Sequence, residues 1–215
     1  MSLLKDALND YKNNVKDKVP AEVWQTMSAA TEALRHADLA KKALKTGDSF
    51  PDFTLKNQHG EERRFSDYLK SGPVILNIYR GGWCPYCNLE MKAFHDILPE
   101  IKARGAQLVG MSPETPDHAK DTAQKADINI DILSDVGNAI SQKLGLVFTL
   151  ADELKPIYQQ FGIDIPAFNG DHSFTLPMPA TYLIDQQGKI VYHFIDVDYT
   201  QRQEPKELLA LIPQH

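Results

Sequence analysis

The chain has two cysteines in 215 residues, and both fall in the stretch YRGGWCPYCNLEM, residues 79 to 91, as Cys84 and Cys87. Two thiols so close can cycle between dithiol and disulfide, hold half of a zinc site, form a fixed staple, or rest unreactive in a core. A staple across so short a loop removes little entropy from the unfolded chain. A zinc site lacks a second cysteine pair, and His95 lies on the same stretch rather than on an opposing element. Gly81, Gly82 and Pro85 are odd companions for ordinary core cysteines. None of the seven histidines falls in a local signature that would make either sulfur a protease nucleophile. The residues therefore favour reversible sulfur redox chemistry, which needs no metal and no organic cofactor.

That chemistry depends on where the helix begins. Proline is favoured at the first helical position because its ring fixes φ and its missing N–H is not needed there. Pro85 thus places both thiols at the helix start, Cys87 one turn inside. The unpaired N–H groups and positive dipole end of a helix start stabilise a thiolate against the ordinary thiol value of about 8.5. Arg80 would add to this effect and Glu90 would oppose it.

The surrounding pattern supplies the scaffold. PVILNIY, residues 73 to 79, is a continuous apolar run of strand length, as in a central strand covered on both faces. After the cysteines, Leu89, Phe94, Ile97, Leu98 and Ile101 repeat at helical spacing up to Gly105, and AQLVGMS reads as a second buried strand. Helices follow at 116 to 126 and 135 to 143 around a short strand, IDIL. PATYLID and KIVYHFI form antiparallel neighbours joined by QQG, and EPKELLALI closes the chain as a helix. Before the first cysteine, two short strands flank a turn at Asn57 to Gly60. The economical solution is an α/β domain with a central mixed sheet flanked by helices, over residues 46 to 215, its pattern starting near Ser49.

Residues 1 to 45 form a helical N-terminal extension, with Leu4, Leu8, Tyr11 and Val15 on one stripe and Val23, Met27, Ala30, Leu34 and Ala37 on another. These helices either pack on their own domain or serve as a dimerising arm, which leaves a homodimer open. Residues 145 to 178, rich in Phe, hold a helix and then an irregular stretch, expected as an insertion over part of the core.

Apolar residues make up 42% of the chain and charged ones 24%, as in a soluble globule with a packed core. A formal net charge of −6 offers no general attraction to nucleic acid or to anionic lipid. No signal-peptide core or membrane-length apolar run is present, so the expected setting is the cytoplasm, where paired cysteines are more often catalytic than structural.

At these residues the chain resembles the thioredoxin-fold superfamily, and within it a peroxiredoxin-like branch of the AhpC/TSA family. WCPYC is similar to a thioredoxin active site, and its inner CPYC to that of glutaredoxins. FPDFTL and YLID with its following G and I are similar to peroxiredoxin segments. The resemblance covers about Ser49 to the C-terminus and implies a thioredoxin-like fold and a thiol antioxidant that reduces peroxides.

The two patterns assign the sulfurs differently. The peroxiredoxin register, a Pro, then Thr or Ser four residues on, then the attacking Cys three beyond, puts Arg80 at the Pro, Cys84 at the Thr and Cys87 at the nucleophile. The Arg that peroxiredoxins carry ahead of a late strand falls on Pro179. Cys87 would then attack the O–O bond and Cys84 would resolve the sulfenic acid. In the thioredoxin pattern Pro179 matches a cis-proline facing the dithiol, Cys84 at the exposed helix cap attacks a substrate disulfide and Cys87 releases the product. Strand polarity brings residues 196 to 202 toward the sulfurs, so that Arg202 and Tyr199 border the site; the competing arrangement is a solvated turn with Arg202 paired to Asp198. Trp83 and Tyr86 either shape the substrate surface or serve packing. The resemblance implies a peroxide or disulfide substrate and a thioredoxin, glutaredoxin or small-thiol reductant. The alternatives are a protein-disulfide reductase and a non-catalytic redox-sensing or partner-binding module.

Overall fold

Strand β3, Val74–Ile78, is buried at every position, because helices cover both faces of the sheet it centres. The computed structural model describes residues 3–213, so Met1 and Ser2 of the N-terminal extension and residues 214 and 215 lie outside the described residues. With β1 Thr54–Asn57, β2 Glu62–Arg64, β4 Gln107–Ser112, β5 Asp131–Ser134, β8 Ala180–Ile184 and β9 Ile190–Ile195, it forms a seven-stranded sheet of order β2-β1-β5-β4-β3-β8-β9. Strands β3, β4 and β5 run parallel, while β1 pairs antiparallel to β5 and β8 antiparallel to β3. Side chains of successive strand residues point to opposite faces. Ile75 accordingly joins a cluster under α1 Leu4–Lys18, α4 Pro85–Asp96, α5 Leu98–Ala103, α6 Pro116–Lys125 and α10 Pro205–Leu209. Val74, Leu76 and Ile78 join the cluster of the other face, with α3 Phe65–Leu69 and α7 Ala139–Lys143. The final helix is shorter than EPKELLALI suggests.

The N-terminal helices pack on their own domain. Leu4 and Leu8 of α1 are buried in the cluster that holds α4. Tyr11 meets Tyr86 edge to face at 5.1 Å, and Lys12 Nζ donates to Asp198 Oδ2 at 3.3 Å and to Thr200 Oγ1 at 3.0 Å. Helix α2, Ala21–His36, lays Val23, Met27 and Ala30 on a third cluster contributed by residues 150 to 176.

That third cluster corrects the reading of residues 145 to 178 as one helix and an irregular stretch. The segment forms β6 Val147–Thr149, α8 Leu154–Gln160, α9 Ile165–Asn169 and β7 Thr175–Pro177, with β6 and β7 paired antiparallel in a sheet of their own. Three-residue strands are too short to show alternation in sequence. Helix α9 is announced only by Asp164, whose carboxylate accepts from Ala167 N at 3.2 Å.

Leu8 is 5% exposed and ties α1 to the domain. Leu8→Ala is expected to cost about 2–5 kcal/mol of docking energy. Amide exchange should then quicken over residues 4–18 while that of β3 stays slow, as read by hydrogen exchange with mass spectrometry.

Candidate active site

Strand β3 delivers the chain to Tyr79 and Arg80, and α4 begins one tight turn later. Cys84 N donates to Gly81 O at 3.0 Å, Asn88 N to Cys84 O at 3.1 Å, and Asn88 Nδ2 to Gly82 O at 2.8 Å. Cys84 is the N-cap with an extended backbone, and Pro85 is the first helical residue. The glycines permit this turn. Gly81 sits at φ +145°, and a Cβ there would lie 2.3 Å from Trp83 Nε1. A Cβ on Gly82 would lie 2.0 Å from Thr122 Oγ1 of α6, where the backbone instead comes close enough to donate from Gly82 N to Glu114 Oε1 at 3.0 Å.

The expected exposed cap is not what forms. Cys84 is 2% exposed and Cys87 0%, both as free thiols. The reason is the N-terminal extension, whose helices stand over the start of α4. They leave a cavity of about 480 Å³ whose wall includes Cys84, Pro85, Tyr86, Trp83, Tyr11 and Trp24. Cys84 therefore reaches the outside through this cavity, while Cys87, one turn deeper, does not line it.

Each sulfur has an arginine. Arg202 Nη2 donates to Cys87 Sγ at 3.3 Å while Nη1 donates to Glu90. The side chains of Arg202 and Glu90 are 1% and 2% exposed. This overturns pairing of Arg202 with Asp198, whose carboxylate is taken by Lys12. Arg80 is buried among the rings of Trp83, Tyr158 and Tyr199, with its guanidinium carbon 5.0, 5.6 and 4.5 Å from their centroids. It donates to the Tyr158 hydroxyl. Its Nε has no partner, and among the described residues no carboxylate pairs with it.

The sulfurs consequently diverge. Burial alone would push the Cys84 thiol up. The adjoining Cys87 and the positive charges of Arg80 and Arg202 outweigh that and pull it down to about 6. Cys87 goes the other way, well above the usual thiol value, because it is buried and adjoins the charge on Cys84. The surrounding charges thus favour the thiolate on the sulfur at the cavity wall over that on its neighbour. Burial outweighs the guanidinium at Glu90 and raises its carboxyl above the ordinary range; Glu114 is raised by burial too.

Pro179 is buried next to β8 and lines a second cavity of about 180 Å³ that Arg80 also borders. The cis bond of the thioredoxin pattern is absent: no described peptide bond is cis. Backbone pairing brings Ala180 opposite Ile78 at the end of β3, and Ile195 opposite Ala180, so residues 196 to 202 return to the dithiol. Tyr199 meets Tyr86 at 5.5 Å. Tyr11, Trp24, Tyr158 and Glu114 were not legible as site residues. They lie far from the cysteines in sequence, and nothing local distinguishes them from amphipathic helix positions or a loop carboxylate.

Residues 46–193 match the AhpC/TSA family. The chain is 31% identical over 144 residues to peroxiredoxin Q, chloroplastic, of Populus jackii, covering 67% of this chain and 57% of that relative. It is 26% identical over 151 residues to the thiol-disulfide oxidoreductase ResA of Geobacillus thermodenitrificans, covering 70% of this chain and 69% of the relative. The fold of the crystal structure of peroxidoxin BcpB from Mycobacterium tuberculosis overlays with a TM-score of 0.62 at 24% identity, covering 78% of this chain and 96% of that one. The mixed sheet with flanking helices is thus a thioredoxin-like fold of the peroxiredoxin kind. By its matched domain and its peroxiredoxin relatives, the chain belongs to the AhpC/TSA family.

Proposed function

We propose that this chain is a peroxiredoxin-like thiol peroxidase in which Cys84 attacks the peroxide and Cys87 resolves it. The observation that carries the reading is the position of Cys84: it is the sulfur on the cavity wall, and the charges of Arg80 and Arg202 favour its thiolate. The thiolate is the nucleophile in thiol chemistry. Cys84 takes one peroxide oxygen and becomes a sulfenic acid, breaking the O–O bond and leaving an alkoxide or hydroxide. The Cys87 S–H, one helical turn away, protonates that leaving group. The Cys87 thiolate then attacks the sulfenic sulfur and expels hydroxide, which recovers the proton that Cys84 lost on ionising. The sum is one dithiol and one peroxide giving one disulfide, one alcohol or water, and one water. Arg202, already donating to Cys87, stabilises the thiolate formed there in the second step.

This order reverses the roles implied by the family register. A redox-active disulfide between the two is the expected oxidised state, returned to dithiol by a thioredoxin, a glutaredoxin or a small thiol in a reducing compartment such as the cytoplasm. A second reading, a protein-disulfide reductase, is favoured by the ionised first cysteine of a CxxC pair. It is disfavoured by the helices that stand over Cys84.

Two experiments check the assignment. With one equivalent of hydrogen peroxide, Cys87→Ser is expected to accumulate sulfenic acid on Cys84, seen by mass spectrometry after dimedone trapping. Cys84→Ser is expected to form at least about tenfold less on Cys87, since its thiol stays protonated. The reverse pattern would return the attacking role to Cys87.

The pH dependence follows from the same charges. In Cys87→Ser, alkylation of Cys84 by iodoacetamide is expected to rise with pH as the thiolate forms, with a midpoint below the ordinary 8.5 or so. Adding Arg80→Met should raise that midpoint, because a cation that favours the thiolate has gone. An unchanged midpoint would remove Arg80 from the account.

A further inference from the structure

The family match begins at residue 46, so both N-terminal helices lie outside it. Yet they build most of one side of the cavity in front of Cys84. Helix α2 turns Trp24, Met27, Ser28 and Thr31 toward it, at spacings of three, four and seven residues, which is one helical face. Helix α1 adds Tyr11 and Val15. Met27 also belongs to the stripe of Val23, Ala30 and Leu34 that holds α2 to the domain, whereas Trp24, Ser28 and Thr31 lie outside it. Tyr158, Phe161 and Ile163 of the inserted segment and Trp83 and Tyr86 beside the sulfur add further apolar wall, while Lys12, Lys18, Glu32, Arg80 and Asp198 bring charge to it.

A cavity of about 480 Å³ lies within the range of small-molecule sites, and its largely apolar, aromatic lining is what such sites use to hold an apolar body. Hydrogen peroxide needs no such volume. A folded protein presenting a disulfide would have to displace α1 or α2 to touch Cys84. Lys12, bonded to Asp198 and Thr200, fastens α1 to the loop that also carries Arg202. The wall is therefore fixed with respect to the dithiol rather than a loose arm.

We infer that the N-terminal helix pair is the substrate-selecting wall of this enzyme, fitting it to hydroperoxides with a bulky apolar body, with Trp24, Met27 and Tyr11 as specificity-determining residues. This rests on the peroxidase reading. The apolar body lies against α2 while the peroxide group meets Cys84; the O–O bond breaks, one oxygen goes to the sulfur, and the alcohol leaves by the same cavity. Preference arises because the apolar body leaves water while the peroxide is held near the thiolate, which raises kcat/KM for the bulky substrate above that for hydrogen peroxide.

The test uses the full chain with cumene hydroperoxide and hydrogen peroxide as oxidants and a dithiol reductant. Wild-type kcat/KM is expected to be about tenfold or more higher for cumene hydroperoxide. Ser28→Phe, at an exposed helix position on the cavity rim, narrows the space and should lower the ratio of the two kcat/KM values by a similar factor; Thr31→Phe, one turn on, should do the same. An independent readout comes from fluorescence, since both tryptophans of the chain line the cavity. Cumyl alcohol, the reaction product, is expected to change the emission saturably in wild type and more weakly in Ser28→Phe. A ratio near one that neither substitution moves, with hydrogen peroxide still consumed, overturns the inference and leaves the peroxidase reading standing. Faster reduction of insulin disulfides than of either hydroperoxide overturns both, as does failure to consume either oxidant.

Discussion

The chemistry of the site depends on stabilising one negative charge on an almost fully buried sulfur. Burying an isolated ion is expensive unless partners replace its hydration, and an unpaired buried charge neutralises instead. Here two guanidinium groups, Arg80 and Arg202, face the dithiol, and Arg202 also pairs with Glu90. They favour a first thiolate, whose own charge, added to burial, opposes a second beside it. This explains why one thiol is lowered and its neighbour raised although both are buried at the same helix start. It also gives Arg80 its reason to be buried with rings around it and no carboxylate of its own.

The fold supplies the partners from separate strands. Arg80 follows β3 directly, Arg202 follows β9, and Glu90 rides on α4, so the cluster assembles only when β3, β8 and β9 pair in register. Beneath it lies a polar seam: Asn77 Nδ2 reaches Thr181 Oγ1 at 3.4 Å across β3 and β8, and Thr181 Oγ1 reaches Glu90 Oε1 at 3.4 Å. A one-residue slip of β8 would turn Thr181 to the opposite face and leave Glu90 without it. The charges on the sulfurs are thus coupled to the pairing of the central sheet.

The scaffold was readable because its signals are local and periodic: a five-residue apolar strand, a proline at a helix start, a helical repeat from Leu89 to Ile101. The dithiol was readable because its spacing is short. Arg202 came within reach of prediction through strand polarity alone, and the same logic brought Tyr199 with it. What escaped was set by packing between distant segments. Burial of Cys84 follows from α1 and α2 crossing the front of α4, and stripes that read as core faces gave no sign of a second face turned to a cavity. The sheet of β6 and β7 escaped because three-residue strands carry too few side chains to reveal a period.

The central claim is that the reduced chain holds a single thiolate at neutral pH. The most direct measurement is the thiolate absorbance near 240 nm as a function of pH, corrected by subtracting a Cys84→Ser, Cys87→Ser double variant. The account expects one thiolate equivalent to appear with a midpoint near pH 6 and the second to stay protonated well into the alkaline range. Two equivalents rising together near the ordinary thiol value of about 8.5 would contradict it.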